Sequence, residues 1–179
     1  MYKTEQLLLA QPIQVIFFDI DGVFTNGSLI YSESGETLKQ FNVLDGQGIK
    51  FLESVGVVPV VISGRAGKAV EARMKDLGIS RVHLGVHKKI EIANLVLLEL
   101  GFDWSQAAVI GDDWADLEMM VNCRFSCAPS NAHPEVLSRV NYVTEKRGGE
   151  GAVRQFCDLI ITAKGKYQLL LNEFLGQGS

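Results

Sequence analysis

Basic residues are in the minority, with 17 Lys and Arg against 21 Asp and Glu and a formal net charge of -4. No long basic tract occurs either, so nucleic acid is not an expected partner. Cysteine is scarce: Cys123, Cys127 and Cys157 are odd in number and lack Cys-x-x-Cys spacing or paired histidines nearby. That excludes a disulfide framework and a zinc site, and leaves buried free thiols in a reducing cytosol as the expectation. No apolar run reaches the roughly 18 residues of a membrane span. The amino end lacks the basic start and long apolar segment of an export signal. A soluble, cytoplasmic chain with no membrane partner is expected. Internal repeats and low-complexity linkers are absent too, and 179 residues suit one domain, 1–179, with a core that needs no disulfide or structural metal.

What is present is a β/α rhythm. Apolar, β-rich runs near 14–18, 57–62, 81–84, 107–110, 124–127 and 141–143 read as strands. Between them Ile49, Phe51, Leu52 and Val55, then Val70, Met74 and Leu77, then Ile92, Leu95, Val96 and Glu99 recur at helical spacing. Gly56, Gly78 and Gly101 follow those segments, where a left-handed helix stop is wanted. The pattern predicts an α/β fold, a doubly wound, Rossmann-like parallel sheet. One piece breaks it. Residues 27–41 read as two short strands about a Gly-containing turn, a β-hairpin too small to be a lid domain. After about residue 164 an apolar, helix-like tail runs from Tyr167 to Leu175, packed on its own body or on another subunit.

The most informative run is Val15-Ile16-Phe17-Phe18-Asp19-Ile20-Asp21-Gly22. Its wholly apolar start implies a central strand whose carboxyl end opens onto a ligand crevice. Alternation along the strand puts Asp19 and Asp21 on one face, with Ile20 turned away. Two such close carboxylates need a cation, a shared proton or a substrate atom between them. Three further signals stand where other strands end. Ser63-Gly64-Arg65 offers a hydroxyl and small-residue amides to phosphate oxygens, although alone it is only a turn. Lys89 opens a helix, and Gly111-Asp112-Asp113-Trp114-Ala115-Asp116 is an acidic cluster able to complete an oxygen-rich cation site.

Asp19-x-Asp21-Gly22, Ser63, Lys89 and Gly111-Asp112-Asp113-x-x-Asp116, in that order, resemble the four motifs of the haloacid dehalogenase superfamily over nearly the whole chain. Further likeness extends to the Gly35–Lys39 hairpin, Phe41–Ile49, Asn131-Ala132-His133-Pro134 and Gly148–Arg154. It is to the capless branch that hydrolyses phosphorylated eight-carbon 2-keto-3-deoxy sugar acids in lipopolysaccharide synthesis. The resemblance implies a Mg²⁺-dependent phosphatase without a cap domain, and a homotetramer. Asp19 would be the nucleophile and Asp21 the general acid and base. Mg²⁺ would rest on Asp19, the Asp21 backbone carbonyl and Asp112, with Asp113 or Asp116 behind them. Ser63 and Lys89 would hold the phosphoryl oxygens.

Substrate discrimination must lie outside these motifs. Asn42, Asp45 and Gly46, at the entry to the first helix, are candidates for sugar hydroxyls. Lys50, Arg65 and Arg73 are cations similar to the family's substrate contacts, and a guanidinium can bind a sugar-acid carboxylate in two parallel hydrogen bonds. Each is equally readable as solvated surface. His133 reads as a helix entrance before Pro134. Two other readings remain: a phosphatase for a nine-carbon sugar acid, and a receiver-type phospho-acceptor domain, which lacks the Asp-x-Asp-Gly run.

Overall fold

The computed structural model describes residues 2–33 and 35–177, with only the backbone of Glu36 and Thr37. Ser34 in the expected hairpin turn and the final Gly178-Ser179 lie outside the described residues. In chain order the first elements are α1 (Thr4–Ala10), β1 (Val15–Phe18), β2 (Ile30–Ser32), β3 (Gly35–Leu38), α2 (Val43–Ser54), β4 (Val58–Ser63), α3 (Lys68–Leu77) and β5 (Arg81–Leu84). There follow α4 (Lys89–Leu100), a 3-10 turn (Trp104–Gln106), β6 (Ala107–Ile110), α5 (Trp114–Asn122), β7 (Phe125–Ala128), α6 (Pro134–Leu137), β8 (Tyr142–Val143), α7 (Ala152–Ala163) and α8 (Tyr167–Phe174).

Six strands form one parallel sheet in the order β5-β4-β1-β6-β7-β8. Central β1 is VIFF, buried at every residue, and pairs with β4 and β6, setting Phe17 beside Val60 and Val109. Such a strand must be apolar on both faces, because helices cover both. Ile16 and Phe18 pack with Ile49 and Leu52 of α2, Met74 of α3 and Phe156 of α7. Val15 and Phe17 pack on the opposite face with Val96 and Leu97 of α4 and Met119 of α5. Burying each such side chain stabilises the fold by roughly 1.5–3 kcal/mol. The alternation carries past the strand's end, so the odd-numbered Asp19 emerges on the α4/α5 side. No cap domain stands over that edge among the described residues.

The hairpin of β2 and β3 is a separate antiparallel two-stranded sheet, as expected. Gly56, Gly78 and Gly101 all take positive φ just past helix ends. All three cysteines are free, Cys127 and Cys157 wholly buried. One detail differs from expectation, and two elements go beyond it. The first residues form α1, held because the Tyr2 hydroxyl donates to the Gln155 carbonyl at 3.2 Å and Leu9 packs on the core. A seven-residue helix is too short to show a period. On α4, Ala93, Val96 and Leu97 face inward while Leu95 and Leu98 are 56% and 79% exposed. That helix is apolar on several sides, so spacing alone does not choose its inner face. Last, the run after Gly151 is a full helix, α7, which buries Val153, Phe156 and Ile160.

Candidate active site

The site is assembled at the carboxyl end of the sheet from loops after β1, β4 and β6 and from the first turn of α4. After β1 the Asp19 amide donates to the Ile110 carbonyl at 3.1 Å. The chain then knots tightly: the amides of Val23, Phe24 and Thr25 all reach the Ile20 carbonyl at 3.0–3.2 Å, and the Thr25 hydroxyl accepts from Gly22 and Gly27. Gly22 has φ +82°, and a Cβ there would collide with the Asp112 carboxylate. Only glycine lets these two loops approach.

Asp19, Asp112 and Asp116 each contribute a carboxylate oxygen to a cluster whose members lie within 4.8 Å of one another. Lys89, nearly buried, stands 2.8 Å from Asp19 Oδ1 and 2.7 Å from Asp116 Oδ1. The Asp19 oxygen has no hydrogen bond of good geometry, so that contact is chiefly Coulombic. Asp116 is spent on both oxygens, because Oδ2 accepts the Asp112 amide at 3.3 Å. Asp113 is exposed at the N-cap of α5. Burial first, then Asp116, pushes the Asp19 carboxyl up to about 7 against the pull of Lys89. Burial, then Asp19, raises Asp112 to about 7 as well. Burial lowers Lys89, but Asp116 and Asp19 more than offset it and its ammonium titrates above the ordinary lysine range. Three carboxylates thus share one ammonium in a desolvated place. The donor set is all oxygen and short of positive charge, which fits a hard divalent cation such as Mg²⁺ on Asp19 and Asp112.

Ser63, 2% exposed at the end of β4, accepts the Arg65 amide on Oγ at 3.3 Å. Asp19, Asp21, Ser63, Arg65, Lys89, Asp112, Asp113 and Asp116 line one open cleft of about 250 Å³. A larger depression of about 450 Å³ between α3 and β5, with Met74, Ile79, Val82 and Leu84 in its wall, has no converging catalytic groups. Asp21 brings in a residue that sequence reasoning missed. Its Oδ1 is 2.5 Å from Lys39 Nζ just past β3, and its Oδ2 is 3.7 Å from Arg65 Nε. Arg65 also donates to the Tyr31 hydroxyl on β2 at 2.9 Å.

The other expected substrate contacts do not line this cleft. Asn42 caps α2 by accepting the Leu44 amide at 2.8 Å and donates to the Gly149 carbonyl at 3.4 Å. Asp45 requires a correction: it is wholly buried and accepts the Arg154 amide at 2.8 Å, anchoring the start of α7 rather than facing a sugar. Burial lifts its carboxyl to about 6, the amides of Arg154 and Gly151 opposing. Gly46 is packed under Arg73, whose guanidinium donates to the Asn42 carbonyl and lies 6.0 Å over the Phe41 ring. Lys50 is exposed on α2. His133 is the expected helix entrance: its Nδ1 accepts the Glu135 amide and the Trp114 indole N–H, both at 3.1 Å, while its own amide holds the Asp112 carbonyl at 2.8 Å. Behind Gly22, the Gly149 amide reaches the Val23 carbonyl, the Gly148 amide reaches Asn131 Oδ1, and a Cβ on Gly148 would strike the Gly22 carbonyl.

A family profile of haloacid dehalogenase-like hydrolases matches residues 82–156. Over 175 residues the chain is 38% identical to the 3-deoxy-D-manno-octulosonate 8-phosphate phosphatase of Escherichia coli strain K12 and 37% identical to that of Salmonella typhi, spanning 98% of this chain and 91% of each relative. The crystal structure of the Moraxella catarrhalis phosphatase of that name, in complex with magnesium ion, phosphate ion and a KDO molecule, is similar with a TM-score of 0.93 at 32% identity, covering 97% of this chain and 99% of that one. The Yersinia pestis phosphatase gives 0.90 at 37% identity, covering 92% and 89%. Cleft, motifs and near full-length similarity agree, and the chain belongs to the 3-deoxy-D-manno-octulosonate 8-phosphate phosphatase family of the haloacid dehalogenase-like hydrolases.

Proposed function

We propose that this chain hydrolyses 3-deoxy-D-manno-octulosonate 8-phosphate to the free sugar acid and phosphate, a step of lipopolysaccharide sugar synthesis. The observation that carries the reading is Asp19 set beside Lys89, Ser63 and Asp112 in one cleft, in a chain similar over 98% of its length to phosphatases of that name. An Asp19 oxygen attacks phosphorus while the sugar's O8–phosphorus bond breaks, and Asp21 gives the departing oxygen its proton. Asp21 then takes a proton from water, which attacks the aspartyl phosphate and frees Asp19 and phosphate. Ser63 Oγ and Lys89 Nζ bind the phosphoryl oxygens and meet charge as it builds. Asp19, the Asp21 backbone carbonyl and Asp112 would hold Mg²⁺, which when bound offsets the crowded negative charge and polarises the phosphoryl group. Asp116 fixes Lys89 and the Asp112 loop, and Asp113 starts α5. Arg65, the one expected sugar-acid cation in the cleft, is assigned the substrate carboxylate.

The same proposal includes a homotetramer in the cytoplasm. The hairpin exposes Leu29, Ile30, Tyr31 and Leu38, and α8 exposes Leu169, Leu171 and Phe174. That is more apolar surface than a two-stranded ribbon and a single helix cover alone. Among the described residues no helix is long and apolar enough to cross a membrane. Three unpaired cysteines suit a reducing compartment.

Asp19→Asn should lower phosphate release from the octulosonate phosphate by at least about a thousandfold, since an amide is neither the nucleophile nor a good hard-metal ligand. Near-normal turnover of the folded variant refutes the nucleophile assignment. A nine-carbon sugar-acid phosphate run beside it tests the substrate, and faster turnover of that compound overturns the eight-carbon choice.

Metal linkage has a definite sign. Asp19 and Asp112 titrate near 7 in the metal-free fold against 3.8 in an unstructured chain, so the folded state holds extra protons between those values. Their contribution to stability falls as pH rises from about 4 to 7. Added Mg²⁺ should therefore raise the melting midpoint more at pH 8 than at pH 5.5, with proton release on binding near pH 7. A midpoint shift that ignores pH contradicts the assigned ligands.

Sedimentation equilibrium should give four chains per particle. A fully active monomer at assay concentration removes the tetramer.

A further inference from the structure

The inserted hairpin is built the wrong way round for a ribbon that only has to be soluble. Leu38 is 62% exposed, whereas the next residue, Lys39, has a side chain only 4% exposed. The pleat thus turns an apolar residue to solvent and a cation inward, an arrangement that lowers the ribbon's own stability unless the buried ammonium finds a carboxylate. The carboxylate it meets is Asp21, at 2.5 Å from Oδ1. Asp21 lines the cleft but stands outside the Asp19–Asp112–Asp116 cluster. Oδ1 takes this contact, while Oδ2 is buried with no hydrogen-bond partner among the described residues and with Arg65 Nε 3.7 Å away.

We propose that Lys39 is a positioning residue for the reaction: its ammonium pins the Asp21 carboxyl through Oδ1 and so fixes the rotamer from which the proton passes to the leaving group. This rests on the reading of Asp21 as the general acid. The hairpin then has a task besides association, since the catalytic acid is oriented by an element that does not belong to the main sheet. A group held in one rotamer reacts from one geometry, and the gain is largest where the leaving oxygen most needs a proton.

The test is the dependence of kcat on the leaving group. Lys39→Met, Lys39→Gln, Lys39→Arg and Asp21→Asn are compared with the unaltered enzyme on aryl phosphates of graded leaving-group acidity and on a hexose 6-phosphate, an alkyl ester without a carboxylate. Lys39→Met and Lys39→Gln should lose at least about tenfold more kcat on the hexose phosphate than on a nitrophenyl phosphate. Their logarithmic slope against leaving-group pKa should steepen with little change in KM, and Lys39→Arg should recover most of the loss. Equal losses on every ester overturn the proposal, reducing Lys39 to a structural latch. A KM increase confined to the sugar-acid phosphate also overturns it, making Lys39 a ligand for the substrate carboxylate. If Asp21→Asn steepens the slope while both neutral Lys39 variants leave it flat, the Lys39 role alone falls. If Asp21→Asn leaves it flat too, the acid assignment itself falls.

Discussion

Negative charge crowded into the carboxyl end of the sheet is the constraint on which the rest of the structure depends. Asp19, Asp112 and Asp116 converge within 4.8 Å, with Lys89 as the ammonium between two of them. Burial first, and the repulsion it strengthens second, lift Asp19 and Asp112 to about 7. The fold holds that arrangement without relieving it. The cluster is consequently short of positive charge, and a divalent ion supplies what is missing.

Rigid neighbours keep the acids from moving apart. β1 is paired on both sides and buried on both faces, so its end cannot drift. Gly111 lies so close to the Asp116 carboxylate that a Cβ would strike it, and Gly22 stands in the same relation to Asp112. His133 fastens the Asp112 carbonyl, and the Gly148-Gly149 turn, itself fixed by Asn131 and Asn42, backs the Asp21-Gly22 loop. Asp45 extends this support by anchoring α7, the helix that follows. Catalytic power here comes from preorganised charge, and these contacts supply the preorganisation.

Much of this was legible in the residues alone, for a physical reason. In a parallel sheet the chemistry sits where apolar strands end, so each motif is flagged by the hydrophobic run before it: Phe18 before Asp19, Ile62 before Ser63, Ile110 before Gly111. The hairpin, too, follows from turn chemistry. Contacts fixed by tertiary geometry were not legible. Lys39 reads as an ordinary polar position on a strand, and only the placement of the hairpin turns it onto Asp21. Asp45 reads as a loop-entry carboxylate suited to a sugar, yet its partner Arg154 is over a hundred residues away. Leu95 and Leu98 show the same limit, because a helix with several apolar sides does not announce which one is covered.

Transfer of the phosphoryl group to Asp19 during turnover is directly measurable. Substrate labelled in its phosphate, mixed with the enzyme and Mg²⁺ and quenched in acid within a single turnover, gives a direct reading. Reduction of the quenched protein with borohydride and peptide mapping should find the label's position converted at Asp19, with the labelled fraction rising and falling ahead of free phosphate. Steady phosphate release with no label on the protein, or label carried at another residue, would contradict it.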